Sequence, residues 1–373
     1  MAPVRVAVVG GGINGAGIAW ELARKGYDVT LFEKNRCGEQ TSSATSKLIH
    51  GGIRYLEGLH VKLVREALHE RKWLLEHLPQ LVHPLEFLLP VYGDSPRNRL
   101  ALRTGLAMYD MLAGRRNLQR HQAMTAAELL GRAPLVADDL RGGFSFWDAQ
   151  TDDHALVQTV VASARRDGAT VREETPVTSL RHDADLWRVN GEPFRVIINA
   201  AGPWMNELLA ANGIGSRYQL SLVRGSHIVL GRRVTDAGLL LQSATDRRVF
   251  FVTPWKGTTL VGTTEVLQRT MPDHVNASEN EIDYLIGRFN RYVREPITHH
   301  DITSTFAGVR PLVGRRSNPS AIGREYRIER RGNLINVFGG KMTTFMSLAR
   351  NVGMRVDNYF GAPRTAKQPI FAP

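Results

Sequence analysis

The sequence predicts a mixed α/β fold, α+β overall, in which a parallel βαβ domain is interrupted by an inserted domain built on an antiparallel sheet. Three observations carry that expectation. A β-branched run at Arg5–Val9 is broken by Gly10-Gly11-Gly12, a helix-period segment at 14–25 is closed by Gly26, and alternating apolar runs recur at 223–230, 249–252 and Thr258–Gly262. At 373 residues the chain can bury a core large enough for two lobes. With 43% hydrophobic and 23% charged residues, the disordered and fibrous classes are excluded.

The first unit is complete in its punctuation. After the opening strand, Ile18, Leu22 and Ala23 mark the inner face of the helix, and a second strand at 27–32 ends at Glu33. Gly10, Gly12 and Gly15 form G-x-G-x-x-G, and Glu33 follows Gly15 by 18 residues. Each glycine has a mechanical reason. Gly10 permits the tight turn, Gly12 lets amides approach a pyrophosphate, and Gly15 lets helix and strand pack closely. Phosphate then sits at the positive helix end, and Glu33 accepts hydrogen bonds from ribose hydroxyls. The glycines alone would be an ordinary turn; the strand, helix and acid around them make a dinucleotide site.

The run from Thr41 to Leu56 is small, hydroxyl-rich and then glycine-paired at Gly51-Gly52. Hydroxyls and free amides of this kind suit the second part of a long cofactor, and paired glycines let backbone approach a flat ring. An ordinary polar loop has the same composition, and the residues alone leave both readings open. Further on, a strand at 195–199 ends in a sharp turn, Ala200-Ala201-Gly202-Pro203-Trp204. The strand Leu334–Phe338 runs into Gly339-Gly340-Lys341-Met342-Thr343-Thr344, which opens the last helix. A glycine pair before a helix offers amide donors; a plain N-terminal cap is the alternative.

The lone Cys37 excludes an internal disulfide and multi-cysteine metal sites, and fits a reducing compartment. No stretch approaches the roughly 18 uncharged apolar residues of a spanning helix. The apolar start carries a glycine cluster and runs into the βαβ pattern, so it reads as mature protein and not as a signal peptide. The formal charge of +12 is partly concentrated in Arg97, Arg99, Arg103, Arg115, Arg116 and Arg120, interleaved with Leu100, Leu102, Leu106, Met108, Met111 and Leu112, with Asp110 the one acid between. That amphipathic stretch is either a solvated helix covering a core or a contact with an anionic membrane, where each basic residue contributes about 1 kcal/mol. Nucleic acid is not expected, since the basic residues are not interleaved with aromatics in any recognisable module.

Taken in order, the strings VVGGGINGAGIAWELARKG, TSSATSKLIHGGIRYLEGL, NAAGPW, LVRGSHIVL, GVRPLVG and FGGKMTTF are similar to the motifs of the FAD-dependent glycerol-3-phosphate dehydrogenases, within the D-amino-acid-oxidase type of flavoproteins. The resemblance spans about residues 4–360; KLIHGGIRYLE and RGSHIV are its specific parts, whereas the first string is shared by many flavoproteins. It implies a Rossmann-like FAD-binding domain of residues 1–86, 148–207 and 303–373 and an inserted antiparallel-sheet substrate domain of 87–147 and 208–302. It implies FAD held by Gly10, Gly12, Ile13, Asn14, Gly15, Glu33 and Lys34, then by Thr41, Ser42, Ser46, Lys47, Leu48, Gly51 and Gly52. Val177, Ala201, Gly202, Gly340, Lys341, Met342 and Thr343 complete the cofactor set. Many relatives continue into a helical C-terminal domain after the last flavin helix, and such a domain is not expected within this sequence.

The activity implied is oxidation of sn-glycerol 3-phosphate to dihydroxyacetone phosphate, with hydride transferred to flavin and electrons passed to quinone or another acceptor. Arg54, Tyr55, Arg310 and Arg324 would hold the phosphate, guanidinium forks being matched to a dianion. His227 would take the hydroxyl proton, its ordinary pKa lying near neutrality, with Arg310, Lys341 and Arg54 offsetting developing negative charge. Without the resemblance each arginine is one surface charge among 48 basic residues, and His227 one of 12 histidines. Phe345-Met346 stands where relatives have Tyr-Arg, and Glu21 where Asp is usual, which bears on substrate identity more than on flavin. The implied setting is cytoplasmic, peripheral on the inner face of the membrane, and a homo-dimer. Two other functions stay open: an FAD-dependent oxidase or dehydrogenase of a hydroxy acid, amino acid or other phosphorylated polyol, and a basic flavoprotein serving nucleic acid or a structural partner.

Overall fold

The computed structural model describes residues 4–272, 274–314, 322–361 and 364–372. Its first sheet has six strands in the order Arg327–Arg331, Leu334–Phe338, Val196–Asn199, Arg5–Val9, Asp28–Phe32 and Thr170–Arg172. All neighbours are parallel except the edge hairpin of the first two. Both faces are buried at the four central strands, so these read as largely apolar runs, whereas the edge strands Arg327–Arg331 and Thr170–Arg172 do not. Val6 and Val8 face the helix Ile13–Arg24, which lies between the helices Asp153–Arg166 and Phe345–Phe360. Ala7 and Val9 point the other way, onto the helix Met205–Ala211 and a meander of Leu180–Asp183, Leu186–Val189 and Glu192–Phe194. The side-chain period of two divides one pentapeptide between two cores.

The second sheet runs Ile302–Val313, Leu220–Leu230, Thr258–Gly262, Val249–Trp255, Gly238–Gln242, Val82–Tyr92, Leu140–Thr151 and Leu48–Ile49. It is antiparallel except at one joint, where Gly238 and Leu239 pair in parallel with Phe87 and Leu88. One face packs on the helix Glu279–Tyr292 through Leu285, Phe289 and Tyr292. On part of the other, Phe87, Leu89, Phe144, Phe146 and Leu240 share a cluster with Val64 and Leu68 of the helix Val61–His77 and Leu106 and Tyr109 of Arg99–Ala113.

Hydrogen-bond ladders cross the boundaries expected between the lobes. Residues 303–313, assigned from sequence to the first lobe, pair along Leu220–Leu230 in the second sheet, and Leu48 and Ile49 pair with Gln150 and Ala149. The basic stretch is a helix that covers a core: Leu106, Tyr109 and Ala113 are buried. It also leaves Leu100 and Met111 72% and 71% exposed on its outer side. Among the described residues no helix is long and apolar enough to cross a membrane.

Candidate active site

Where the two sheets meet, a cavity of about 1040 Å³ runs from the first glycine turn to the floor of the second sheet. The turn is shaped by contact distance. A Cβ on Gly15 would overlap the Gly10 carbonyl, and one on Gly340, where φ is +106°, would overlap the Asn14 amide. Asn14 Nδ2 donates to Gly339 O at 3.1 Å, and the Ile13 amide donates to Ser42 Oγ at 3.0 Å. Three segments distant in sequence are thus drawn around one helix N-terminus with free amides. Glu33 sits at its strand tip, each carboxylate oxygen accepting one amide, from Gly11 at 2.6 Å and Asn35 at 2.9 Å. Lys34 Nζ lies 3.5 Å over the Trp204 ring, and burial pulls its pKa below the ordinary value.

These residues fit a long dinucleotide: amides for a pyrophosphate at one end, an acid for a ribose, and a glycine pair at the other end. Thr41, Ser46, Leu48, Gly52, Val177, Ala201, Gly202, Met342 and Thr343 also line the cavity. Gly15, Lys47 and Gly51 stand behind its wall. Gly15 serves the helix–strand approach, and the Gly51 amide donates to Asp148 Oδ1 at 3.1 Å. Lys47 Nζ donates to Asp153 Oδ1 and Ser43 O, both at 2.6 Å, and so fastens the loop that carries Ser42 and Ser46.

At the far end a single buried carboxylate gathers four guanidinium groups. Glu265, whose side chain is 3% exposed, lies 2.5 Å from Arg324, 3.6 Å from Arg54, 3.6 Å from Arg248 and 3.8 Å from Arg310. Arg310 Nη2 also donates to Thr264 O at 2.7 Å. Burial, then the neighbouring Arg324, pulls the Arg310 pKa to about 10 against the pull of Glu265. Lys341 Nζ lies 3.6 Å over the ring of Tyr55, and burial lowers its pKa. Burial raises the Tyr55 phenol, but Lys341, Arg324, Arg54 and Arg310 outweigh it and hold the pKa below its ordinary value. One carboxylate among four guanidinium groups and Lys341 leaves an excess of positive charge, which makes this wall a receptor for a dianion.

His227 stands on the strand Leu220–Leu230, opposite Gly262 on one side and Phe306 on the other. Its ring stacks on Phe306 at 4.8 Å, and a Cβ on Gly262 would strike it. Ser46 Oγ and His227 Nε2 are 2.9 Å apart, while Nδ1 has no hydrogen-bond partner among the described residues. Burial, then Arg310 and Lys47, pulls its pKa down to about 3. A second histidine, His50, lies between the rings of Tyr55 and Phe251 with its pKa lowered by burial to about 4.

The structure therefore brings His227, Arg54, Tyr55, Arg310, Arg324 and Lys341 to one cavity wall. Sequence reasoning missed Glu265, Arg248, His50 and Gln242. His50 lay inside a motif already quoted. Glu265 had one available signal, an acid just past the strand Thr258–Gly262 in a strongly basic chain, but nothing local says that four arginines converge on it.

The family described as DAO, FAD dependent oxidoreductase, matches residues 5–351. D-erythritol 1-phosphate dehydrogenase of Brucella abortus is 39% identical over 95% of this chain and 73% of its own length. Glycerol-3-phosphate dehydrogenase of Pseudomonas aeruginosa is 39% identical over 98% of this chain and 74% of its own. In fold, the chain is similar to the dithionite-reduced L-alpha-glycerophosphate oxidase of Mycoplasma pneumoniae with FAD bound, at a TM-score of 0.79 and 19% identity over 99% of this chain and 98% of that one.

Proposed function

The chain belongs to the DAO family of FAD-dependent oxidoreductases, and from that premise we propose that it oxidises the secondary alcohol of a phosphorylated polyol, sn-glycerol 3-phosphate to dihydroxyacetone phosphate. The observation that carries the reading is the cluster of Arg54, Arg310, Arg324 and Lys341 beside a buried, neutral His227 in the cavity that holds the glycine cradle. When bound in that cradle, FAD supplies the hydride acceptor. The arginines grip the phosphate, and Tyr55 is placed to donate to one of its oxygens. His227 Nε2, once Ser46 Oγ gives up its contact there to the substrate, takes the hydroxyl proton as the carbon–hydrogen bond is broken. Neutral imidazole is the form that can accept a proton, and a phosphate dianion beside Arg310 makes it more basic.

A four-carbon substrate is the second reading, favoured by the D-erythritol 1-phosphate dehydrogenase relative. Anaerobic addition of polyol phosphates, hydroxy acids and amino acids to the purified flavoprotein, followed at the flavin absorbance band, tests both. Bleaching by glycerol 3-phosphate or erythritol 1-phosphate is the expected result. Bleaching by hydroxy or amino acids alone would overturn the phosphate reading, and steady peroxide release in air would replace quinone with oxygen as acceptor.

For the electron exit we propose a quinone reached at an anionic membrane surface through the helix Arg99–Ala113. Leu102, Gly105 and Met108 line the cavity, while Leu100 and Met111 are exposed among arginines. The protein is expected to float with phosphatidylglycerol liposomes at low salt and to be released at high salt. Sedimentation away from the liposomes at low salt would remove this contact.

A further inference from the structure

The floor of the cavity is one face of the second sheet, and its register orders the side chains upon it. Phe306, His227, Gly262, Phe251 and Leu240 stand opposite one another across five adjacent strands. Directly opposite residues in antiparallel strands share a face, as do residues two apart on one strand. Gln242, two residues beyond Leu240 and opposite Val249, therefore stands on the same face as His227, and it lines the same cavity. Its neighbours there, Leu240, Val249 and Phe251, are apolar. The side chain is 2% exposed, and neither its Nε2 nor its Oε1 has a hydrogen-bond partner among the described residues. Its backbone carbonyl accepts from the Tyr292 hydroxyl at 2.6 Å.

A buried amide with both ends unmade carries a desolvation penalty that no protein contact offsets, and such groups are rare without a function. The arginine cluster already accounts for a phosphate and His227 for the reacting hydroxyl, which leaves Gln242 a polar group on the same floor with no role assigned. We propose that Gln242 is a specificity-determining residue: its amide hydrogen-bonds the hydroxyl on the carbon beyond the one that is oxidised. The inference rests on the polyol-phosphate reading above and deepens it. Gln242 would tell a polyol phosphate from an otherwise equal phosphate ester that ends in a methyl group. A site built to pair a hydroxyl rejects the analogue lacking it strongly, because its own polar group is then left unpaired.

The test is a cycle of two substrates and two proteins. Glycerol 3-phosphate is compared with propane-1,2-diol 1-phosphate, which lacks the terminal hydroxyl, in the wild-type holoenzyme and in Gln242→Met, which keeps length and volume but not the amide. The wild type is expected to favour the hydroxyl-bearing substrate by about 100-fold in kcat/KM, and Gln242→Met to reduce that preference to within about 3-fold. An equal loss on both substrates, or a preference unchanged in the variant, overturns the assignment while leaving the polyol-phosphate reading intact. If no polyol phosphate bleaches the wild-type flavin, that reading fails and this inference fails with it. Gln242→Leu guards against a folding artefact. An amide with no protein partner has nothing to hold up, so loss of FAD or of folding in both variants also counts against the proposal.

Discussion

His227→Asn is expected to lower the rate of flavin reduction by about 10²- to 10⁴-fold, the span ordinarily lost with a positioned general base, while FAD remains bound at full occupancy. The substitution keeps a polar, planar side chain in the slot between Gly262 and Phe306 but removes the basic nitrogen that lies 2.9 Å from Ser46 Oγ. Rapid-mixing measurement of flavin bleaching reads the rate, and the flavin-to-protein absorbance ratio reads the occupancy; near-normal reduction would exclude His227 as the proton acceptor. The same residue has a signature in pH. Its pKa is about 3 in the folded protein and near 6.5 when unfolded, so below 6.5 the unfolded chain takes up a proton that the folded chain refuses. Stability is therefore expected to fall as pH drops from about 6.5, by up to about 1.4 kcal/mol per pH unit from this group. His50, lowered to about 4, acts in the same direction. Urea unfolding of the wild type and His227→Asn at pH 7 and pH 5 isolates the His227 share, which the variant should lack.

Glu265→Gln is expected to destabilise the protein by about 3–5 kcal/mol, the usual cost of removing one member of a buried ionic network. Four guanidinium groups lie within 4 Å of that carboxylate, and without it they repel one another across the cavity wall. The arrangement also assigns Glu265 a positioning role. Arg324 is held at 2.5 Å, whereas Arg54 stands farther off at 3.6 Å and can turn toward an incoming phosphate; Arg310, 3.8 Å from the carboxylate, is held instead by Thr264 O at 2.7 Å. KM for a polyol phosphate should consequently rise at least about 10-fold with kcat less affected, and Glu265→Asp, which keeps the charge, should recover most of the loss. Unchanged stability together with a lower KM would mean that the carboxylate merely competes with substrate for the arginines.

Much of the cofactor end was legible in the sequence because its causes are local. Gly10, Gly12 and Gly15 act within one turn and the helix it opens, and Glu33 ends the next strand, so the spacing of four residues within one βαβ unit carries most of the geometry. The substrate end behaved differently. Arg54, His227, Arg310 and Arg324 became candidates only through resemblance to known motifs, since nothing in their own neighbourhoods separates them from the other basic residues. Lys47 illustrates the converse. It sits inside a recognised motif, yet its ammonium is tied to Asp153, 106 residues away, behind the wall and not in the cavity.

By itself the sequence determined the βαβ unit, the mixed α/β fold class and the positions of seven strands, because glycine geometry and apolar periodicity are properties of neighbouring residues. Tertiary structure alone decided which strands are adjacent, and hence that Arg54, Arg248, Arg310 and Arg324 surround Glu265 and that Gln242 shares a floor with His227. A period of two says which way a side chain points from its strand and nothing of the strand beside it; that neighbour is chosen by long-range pairing, and Gly238 and Phe87, paired in this sheet, lie 151 residues apart along the chain.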